Sequence, residues 1–337
     1  MSEFSARDNQ ARLELGVEAG LDTVEALLLE SVQDSRGLVS DLTSHLAKAG
    51  GKRLRPMLTL ISGQLGAPHR ALSDEVVKAA AAVELTHLAS LYHDDVMDSA
   101  PSRRGVESAQ RVWGNNRAIL AGDVLFARAS TLVAALGPET VAHHARMFER
   151  LCIGQLNETF GPAEEDDPVG FYLQVLADKT GSLVAAAAHF GAFHSGAGRD
   201  VAAMVESFGE KVGVAFQLAD DVIDIASSGE ITGKTPGSDL REGVDTMPVL
   251  LLKRDVAAGT IDDEGRAILT ALDQDLSSDE ALSAVVEALR EHPVLTQTLE
   301  LARQWADDAV AALAPLPNSE AKDALEAFAL MMVDRAA

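Results

Sequence analysis

The sequence predicts an all-α fold, on three observations. Alanine and leucine are abundant while aromatic residues make up only 4% of the chain. No stretch sustains the every-second-residue alternation of a half-buried strand. Apolar residues instead recur at helical spacing between glycine and proline breaks. The chain has 337 residues, 47% of them hydrophobic, which is ample for a core. Lys and Arg number 28 against 52 Asp and Glu, a net charge of −24. That balance argues against nucleic acid as a partner and against a polybasic membrane anchor. The single cysteine, Cys152, excludes an internal disulfide, fits a reducing cytoplasm, and reads as a buried small hydrophobe. Residues 1–10 lack the charged-then-apolar layout of a signal peptide, and no apolar run reaches the ~18 residues of a membrane span. A soluble, cytoplasmic protein is expected, which leaves an apolar substrate open.

In chain order, residues 9–48 predict two amphipathic helices, the second carrying Leu38, Leu42 and Leu46 before Gly50-Gly51 stops it. A helix over 56–65 follows Pro56, a residue suited to a first helical turn. One long helix runs over 74–98, closed by a loop marked by Pro101 and Gly105. Helices over 116–136 and 138–160 are separated by Gly137-Pro138. The stretch 161–170, with four consecutive acids, reads as a solvated loop rather than a metal site. Helices resume over 171–196 and 199–228. The glycine-rich stretch between Ser227 and Pro248 reads as a mobile lid or binding loop, and further helices fill the remainder. With no internal repeat and no low-complexity linker, a single domain over 1–337 is expected: N-terminal helices over 1–48, a motif-bearing core over 50–250, and C-terminal helices over 251–337.

The chemistry concentrates on two acidic turns. Asp94, Asp95 and Asp98 close the long helix, and Asp220, Asp221 and Asp224 repeat the pattern. Carboxylates at i and i+4 share one helix face and raise its negative potential unless a cation sits between them. Gln217, Asp221 and Asp224 fall at i, i+4 and i+7, so one helix presents an amide and carboxylates together. Mg²⁺ takes oxygen ligands and typically bridges one or two carboxylates to phosphate oxygens. A lone Asp-Asp-x-x-Asp is as readily a solvated face; a pair of them, with basic stretches between, points to Mg²⁺ and a diphosphate.

Those basic stretches come next. Lys52, Arg53 and Arg55 concentrate positive charge beside a helix start, where free N–H groups also favour anions. His87 lies two helical turns before Asp94 and looks along the same face, whereas His93 reads first as a packed histidine. Arg103 and Arg104 can grip phosphate oxygens with bidentate forks. Lys179 sits in Asp178-Lys-Thr-Gly181, near the start of an apolar helix.

Taken together, Gly50-Gly-Lys-Arg-Leu-Arg-Pro56, Glu84-Leu-Thr-His87, His93-Asp-Asp-Val-Met-Asp98, Arg103-Arg-Gly105, Lys179-Thr180, Phe216-Gln-Leu-Ala-Asp-Asp-Val-Ile-Asp224 and Gly233-Lys234 resemble, in order, the trans-polyprenyl diphosphate synthases. The resemblance spans about residues 50–250. It implies about ten helices around a deep central cavity (the isoprenoid synthase fold), commonly as a homodimer, and head-to-tail condensation of isopentenyl diphosphate onto an allylic diphosphate.

The resemblance also implies roles. Asp94, Asp98 and Asp220 would ligate two or three Mg²⁺ ions, with Asp95, Asp221 and Asp224 as further or water-mediated partners. Gln217 and the Thr180 carbonyl would stabilise an allylic cation. Arg103, Lys179 and Lys234 would hold the departing diphosphate, and Lys52, Arg55, His87 and Arg104 would bind isopentenyl diphosphate. One departure stands out: Val244 follows Gly243 where many relatives carry lysine. Relatives limit product length with bulky residues one turn before the first cluster, and here Ala89 and Ser90 are small. A long product, hepta- to decaprenyl, such as a quinone side chain requires, is therefore expected, with Tyr92 and Phe160 as deeper stops or ordinary core. A class I terpene cyclase would not need Lys52, Arg55 and His87. A His-Asp phosphohydrolase would not need the second cluster, and a non-catalytic partner subunit would not need both clusters intact. A short-chain synthase making farnesyl or geranylgeranyl diphosphate is the nearest alternative, and peripheral membrane contact during product release is compatible with the sequence.

Overall fold

The structure, a computed structural model, describes residues 3–34, 36–226 and 236–335, with side chains from residue 16 onward. Lys234 and Gly233, and with them most of the expected lid, lie outside the described residues. The chain forms helices α1 (Glu3–Ser31), α2 (Gly37–Lys48), α3 (Leu54–Gly63), α4 (Asp74–Met97), α5 (Ala109–Trp113), α6 (Asn115–Ala134), α7 (Pro138–Phe160), α8 (Pro168–Leu176), α9 (Ser182–Ser195) and α10 (Arg199–Ala226). After the undescribed stretch come α11 (Ser238–Arg241), α12 (Met247–Ala258), α13 (Asp263–Leu272), α14 (Asp279–Glu291), α15 (Pro293–Ala312) and α16 (Glu320–Asp334). Among the described residues the strands are β1 (Ser102–Arg103) and β2 (Val106–Glu107), an antiparallel pair with Arg103 opposite Val106. Arg104 and Gly105 between them both have positive φ, 53° and 78°, as a two-residue hairpin turn of the primed type requires.

Two compact units emerge, one comprising Met1–Glu149, Leu183–Gly209 and Ala312–Leu325, the other Arg150–Ser182, Glu210–Ala311 and Glu326–Ala337. In the first unit, α4 starts at Ser73, whose hydroxyl caps Val76 N–H, with Asp74 and Glu75 favourably placed in the first turn. Its middle, Ala79 to Val83 with Leu85 and Leu88, is wholly buried. Small side chains there let α4 and α6 approach closely. A Cβ on Gly122 of α6 would collide with His93 of α4 and meet the Ala89 carbonyl at 3.1 Å, and one on Gly191 of α9 would strike the Thr59 carbonyl. The low aromatic content thus reflects close helix packing rather than a thin core.

The second unit is built on a cluster that includes Leu176, Val214, Leu218, Val222, Ile225, Met247, Leu251, Val285 and Leu289. Between α8 and α9 the chain makes one π-helical turn, Ala177–Gly181. Two expectations are corrected here. Cys152 is exposed, because it falls on the outward face of α7 next to buried Leu151. Phe160, the last residue of α7, is 82% exposed and belongs to no core. Of the acidic run, Asp167 caps α8 by accepting from Gly170 N–H at 3.0 Å, and its partners face water as expected. No helix among the described residues is long and apolar enough to cross a membrane.

Candidate functional site

The first cluster is assembled where α4 ends. Asp98 is the C-cap, its N–H donating to the Asp94 carbonyl at 2.8 Å, so Asp94 and Asp98 stand one turn apart at a partly open helix end. Asp95 points inward and is fully buried. Arg103 Nε donates to its Oδ1 at 2.7 Å, while its Oδ2 is buried with no hydrogen-bond partner. Burial raises the Asp95 carboxyl above its ordinary value against the pull of Arg103, and Asp98 adds to the rise. A buried carboxylate oxygen without a donor is what a cation or a cation-bound water would satisfy, so these residues fit a divalent ion.

The basic residues of this unit divide into two sets. Glu84, buried on α4, takes Arg53 Nη1 at 3.0 Å and Arg104 Nη2 at 3.7 Å. Arg53 also pairs with Glu25 at 2.7 Å and donates to the Ala47 carbonyl; it sits in the left-handed region at φ 48°, which turns its side chain inward. Arg104 donates to the Leu46 carbonyl at 3.1 Å and to the Gly50 carbonyl. Both therefore secure the Gly50–Arg55 loop to α4. Arg55 and Lys52 are different. Arg55 Nε is buried without a partner, and burial and Arg104 lower its pKa against the pull of Glu84. Lys52 is exposed. His87 is held neutral, its pKa well below the ordinary value through burial and then through Arg55, Arg104, Arg103 and Arg53. A guanidinium with one buried, unpartnered N–H near His87 offers a donor to an anion. Of the residues predicted for this role, Arg104 thus has a visible framework duty, whereas Arg55 keeps its Nε unpartnered and Lys52 is exposed.

Ala89 is fully buried, and Ser90, 9% exposed, donates to the His87 carbonyl at 2.9 Å. Tyr92 is buried, its hydroxyl donating to the Leu42 carbonyl at 2.6 Å and accepting from Leu46 N–H, which makes it the tie between α4 and α2. His93 faces the Ile119 carbonyl at 3.1 Å and Asp123, the packed histidine expected.

The second cluster lies near the end of α10. Asp221 is buried, accepts from the Tyr172 hydroxyl at 3.0 Å and from Met247 N–H at 3.1 Å, and so anchors the first turn of α12. Burial pushes its carboxyl up to about 8, those two donors opposing and Asp239 and Asp220 adding to the rise. Asp224 accepts from Ser238 Oγ at 2.9 Å, and its carbonyl from Gly237 N–H, which returns the chain to α10 after the undescribed stretch. Asp220, two-fifths exposed, pairs with Arg335 Nη2 at 2.9 Å. Arg335 also lies 3.8 Å over the Phe216 ring and donates to the Phe216 carbonyl at 2.8 Å. Nothing in the motif spelling announces Arg335, since it sits 119 residues from Phe216. Gln217 is half-buried on α10, one turn before Asp221.

Lys179 and Thr180 occupy the π turn, a feature often found at functional positions. Its wider ring, with Ser182 N–H donating to the Ala177 carbonyl, displaces the local carbonyls from the regular ladder, consistent with a carbonyl role for Thr180. Lys179 pairs with Glu158, and Asp178 with Arg150 at 2.7 Å. Val244 is exposed and lines a cavity of about 490 Å³ together with Lys253, which pairs with Asp245.

An all-helical scaffold with an acidic helix end in each unit, and with the buried Arg55 Nε of the first unit unpartnered among the described residues, suits an enzyme class that handles diphosphates with divalent cations. The polyprenyl synthetase family matches residues 36–289. Nonaprenyl diphosphate synthase of Mycobacterium tuberculosis is 43% identical over 320 residues, 95% of this chain and 93% of that protein. Among solved structures, geranylgeranyl pyrophosphate synthase of Corynebacterium glutamicum, with calcium and isoprenyl diphosphate, shares 41% identity and a TM-score of 0.84, covering 96% of this chain and 98% of that one. Polyprenyl synthase of Caulobacter crescentus, also with calcium and isoprenyl diphosphate, shares 33% identity and a TM-score of 0.85, with 97% and 98% covered. The chain belongs to the polyprenyl synthetase family, and its activity is prenyl transfer by a polyprenyl diphosphate synthase.

Proposed function

We propose that the chain extends an allylic diphosphate with isopentenyl diphosphate, using Mg²⁺, to a long all-trans product of hepta- to decaprenyl length suited to a quinone side chain. The observation that carries this reading is Ala89: it is small and fully buried one turn before Asp94, and Ser90 beside it is equally small. The nonaprenyl relative points the same way. The geranylgeranyl relative is why the product must be measured.

The roles in this reading rest on residue chemistry and on the motif positions. Asp94, Asp98, Asp220 and Asp224 supply oxygen ligands, and Asp95 acts through its unpartnered Oδ2. Bound Mg²⁺ withdraws charge from the diphosphate leaving group. Gln217 directs its amide dipole, and Thr180 its carbonyl, at the allylic cation that C–O ionisation leaves. Lys179, Lys234 and Arg103 hold the leaving diphosphate. Lys52, Arg55 and neutral His87 bind isopentenyl diphosphate and hold its double bond near the cation, with Arg104 shaping the loop that carries them. No side chain stands out as a base, so the released diphosphate takes the last proton. In this reading residues 1–337 act as a single catalytic domain. Exposed Val112, Ile119, Leu120 and Val141 on α5 to α7 support a homodimer.

The test is incorporation of labelled isopentenyl diphosphate with farnesyl diphosphate and Mg²⁺, followed by product chromatography, for the wild type and Ala89→Phe. Expected are heptaprenyl or longer products from the wild type and a product shorter by several units from the variant. A wild-type product stopping at farnesyl or geranylgeranyl overturns the long-chain reading, and no incorporation by the purified chain would favour a partner subunit.

A further inference from the structure

Away from both aspartate clusters, three helices of the first unit bring two imidazoles and a carboxylate together. His143 comes from α7, His189 from α9 and Glu206 from α10. His143 Nε2 lies 3.4 Å from one Glu206 oxygen and His189 Nδ1 lies 2.8 Å from the other. One candidate ligand atom from each residue falls within 4.8 Å of the other two. A tetrahedral ion with bonds of about 2.0–2.1 Å holds its ligand atoms about 3.3 Å apart, so the spacing already approaches that of a coordination sphere. His189 Nδ1 is buried with no hydrogen bond of regular geometry, and its 2.8 Å contact with Glu206 is an ion pair that a cation bound by both residues would replace.

The surroundings are those of a prepared site. The His143 and His189 rings stack at 4.0 Å with planes 16° apart, and Phe190 and Phe193 pack against them. The side chains are 13%, 16% and 37% exposed for His143, His189 and Glu206, which opens the group to solvent on the Glu206 side. None of the three belongs to the aspartate clusters or to the basic residues described above.

We propose that His143, His189 and Glu206 form a transition-metal site, best matched by Zn²⁺, that ties α7, α9 and α10 together. Two imidazole nitrogens and one carboxylate suit Zn²⁺ with water in the fourth position. Mg²⁺ is a poor match because it takes oxygen ligands in octahedral geometry, so the site and the aspartate clusters draw different ions. The ion binds as the ring of His143 turns from its stacked position to bring both nitrogens onto one centre.

The experiment titrates the full-length, chelator-stripped protein with Co²⁺, a coloured stand-in for Zn²⁺, in excess Mg²⁺. Expected are the visible absorption bands of one four-coordinate Co²⁺ per chain, displaced by Zn²⁺, and a thermal midpoint that rises with Zn²⁺. The variants His189→Ala and Glu206→Gln should weaken Zn²⁺ binding at least tenfold while keeping their helical circular dichroism and Mg²⁺-supported prenyl transfer. Asp94→Ala should leave the bands intact. If the wild type gives no bands, or loses them in excess Mg²⁺, the site does not exist as described; bands that survive His189→Ala would overturn it equally. The Mg²⁺ arm needs no variant, so a variant that fails to fold leaves the test decisive.

Discussion

The two aspartate clusters share one spelling and differ in what holds the middle carboxylate. In the first, Asp95 meets a guanidinium, Arg103, and keeps one oxygen without a partner. In the second, Asp221 meets two neutral donors, the Tyr172 hydroxyl and Met247 N–H, which tie α8 and the start of α12 to α10. The outer positions differ too: Asp98 is exposed at a helix end, whereas Asp224 is fastened to Ser238 and Asp220 to Arg335. The shared Asp-Asp-x-x-Asp pattern therefore sets where carboxylates fall along a helix, while the partners decide whether each stays charged and what it is free to bind. The first cluster has an unused ligand oxygen ready. In the second, Asp221 is taken up by architecture, and the proposed ligands are its flanks.

The largest effect that can break this comparison is catalytic. Asp94→Ala and Asp220→Ala should each lower kcat/KM by about 10³-fold or more, since each removes charge stabilisation present at the departing diphosphate; steady-state isopentenyl diphosphate incorporation measures it. Next is stability. Asp95→Ala strands the Arg103 guanidinium, which is about a quarter exposed, and should destabilise the protein by about 1–3 kcal/mol in denaturant unfolding.

The Asp221 side of the comparison is sharpened by pH. A carboxyl whose folded pKa is about 8 against an ordinary 3.8 favours folding fully below pH 4. That contribution is lost as pH rises toward and through 8. In Mg²⁺-free buffer, Asp221→Asn should flatten the fall of the denaturant midpoint between pH 5 and pH 9, values chosen as roughly bracketing that window, and should leave the variant relatively more stable at the alkaline end. Smallest is Arg335→Ala. Removing a cation 2.9 Å from Asp220 should tighten the apparent Mg²⁺ requirement by roughly two- to fivefold, a modest change because the pair is partly solvated; Mg²⁺ titration of activity reads it.

Much of this was legible in sequence where signals are local. Gly137-Pro138 bounds α7 at the expected residue, and the long helix ending in the first cluster runs over Asp74–Met97 as expected. Both clusters and the small residues before the first stand on helices as their spacing requires. What escaped depends on contacts distant in sequence or on unusual backbone. The break at Gly114, with φ 86°, separates a short α5 from α6. Asp167, read as one solvated acid among four, caps a helix. Lys52, Arg53 and Arg55 look alike as a basic run, yet buried Glu84 and a left-handed backbone turn Arg53 into framework and leave Arg55 under-satisfied. Arg335 reaches Asp220 from the last turn of the described chain, a contact that no local pattern encodes.

The most direct measurement counts bound Mn²⁺, as a paramagnetic stand-in for Mg²⁺, in the presence of inorganic pyrophosphate for the wild type, Asp94→Asn and Asp221→Asn. The account predicts that Asp94→Asn binds fewer ions than the wild type while Asp221→Asn keeps the wild-type count and changes only its stability profile. An Asp221→Asn protein that loses an ion, or an Asp94→Asn protein that loses none, would contradict the division of labour between the two clusters.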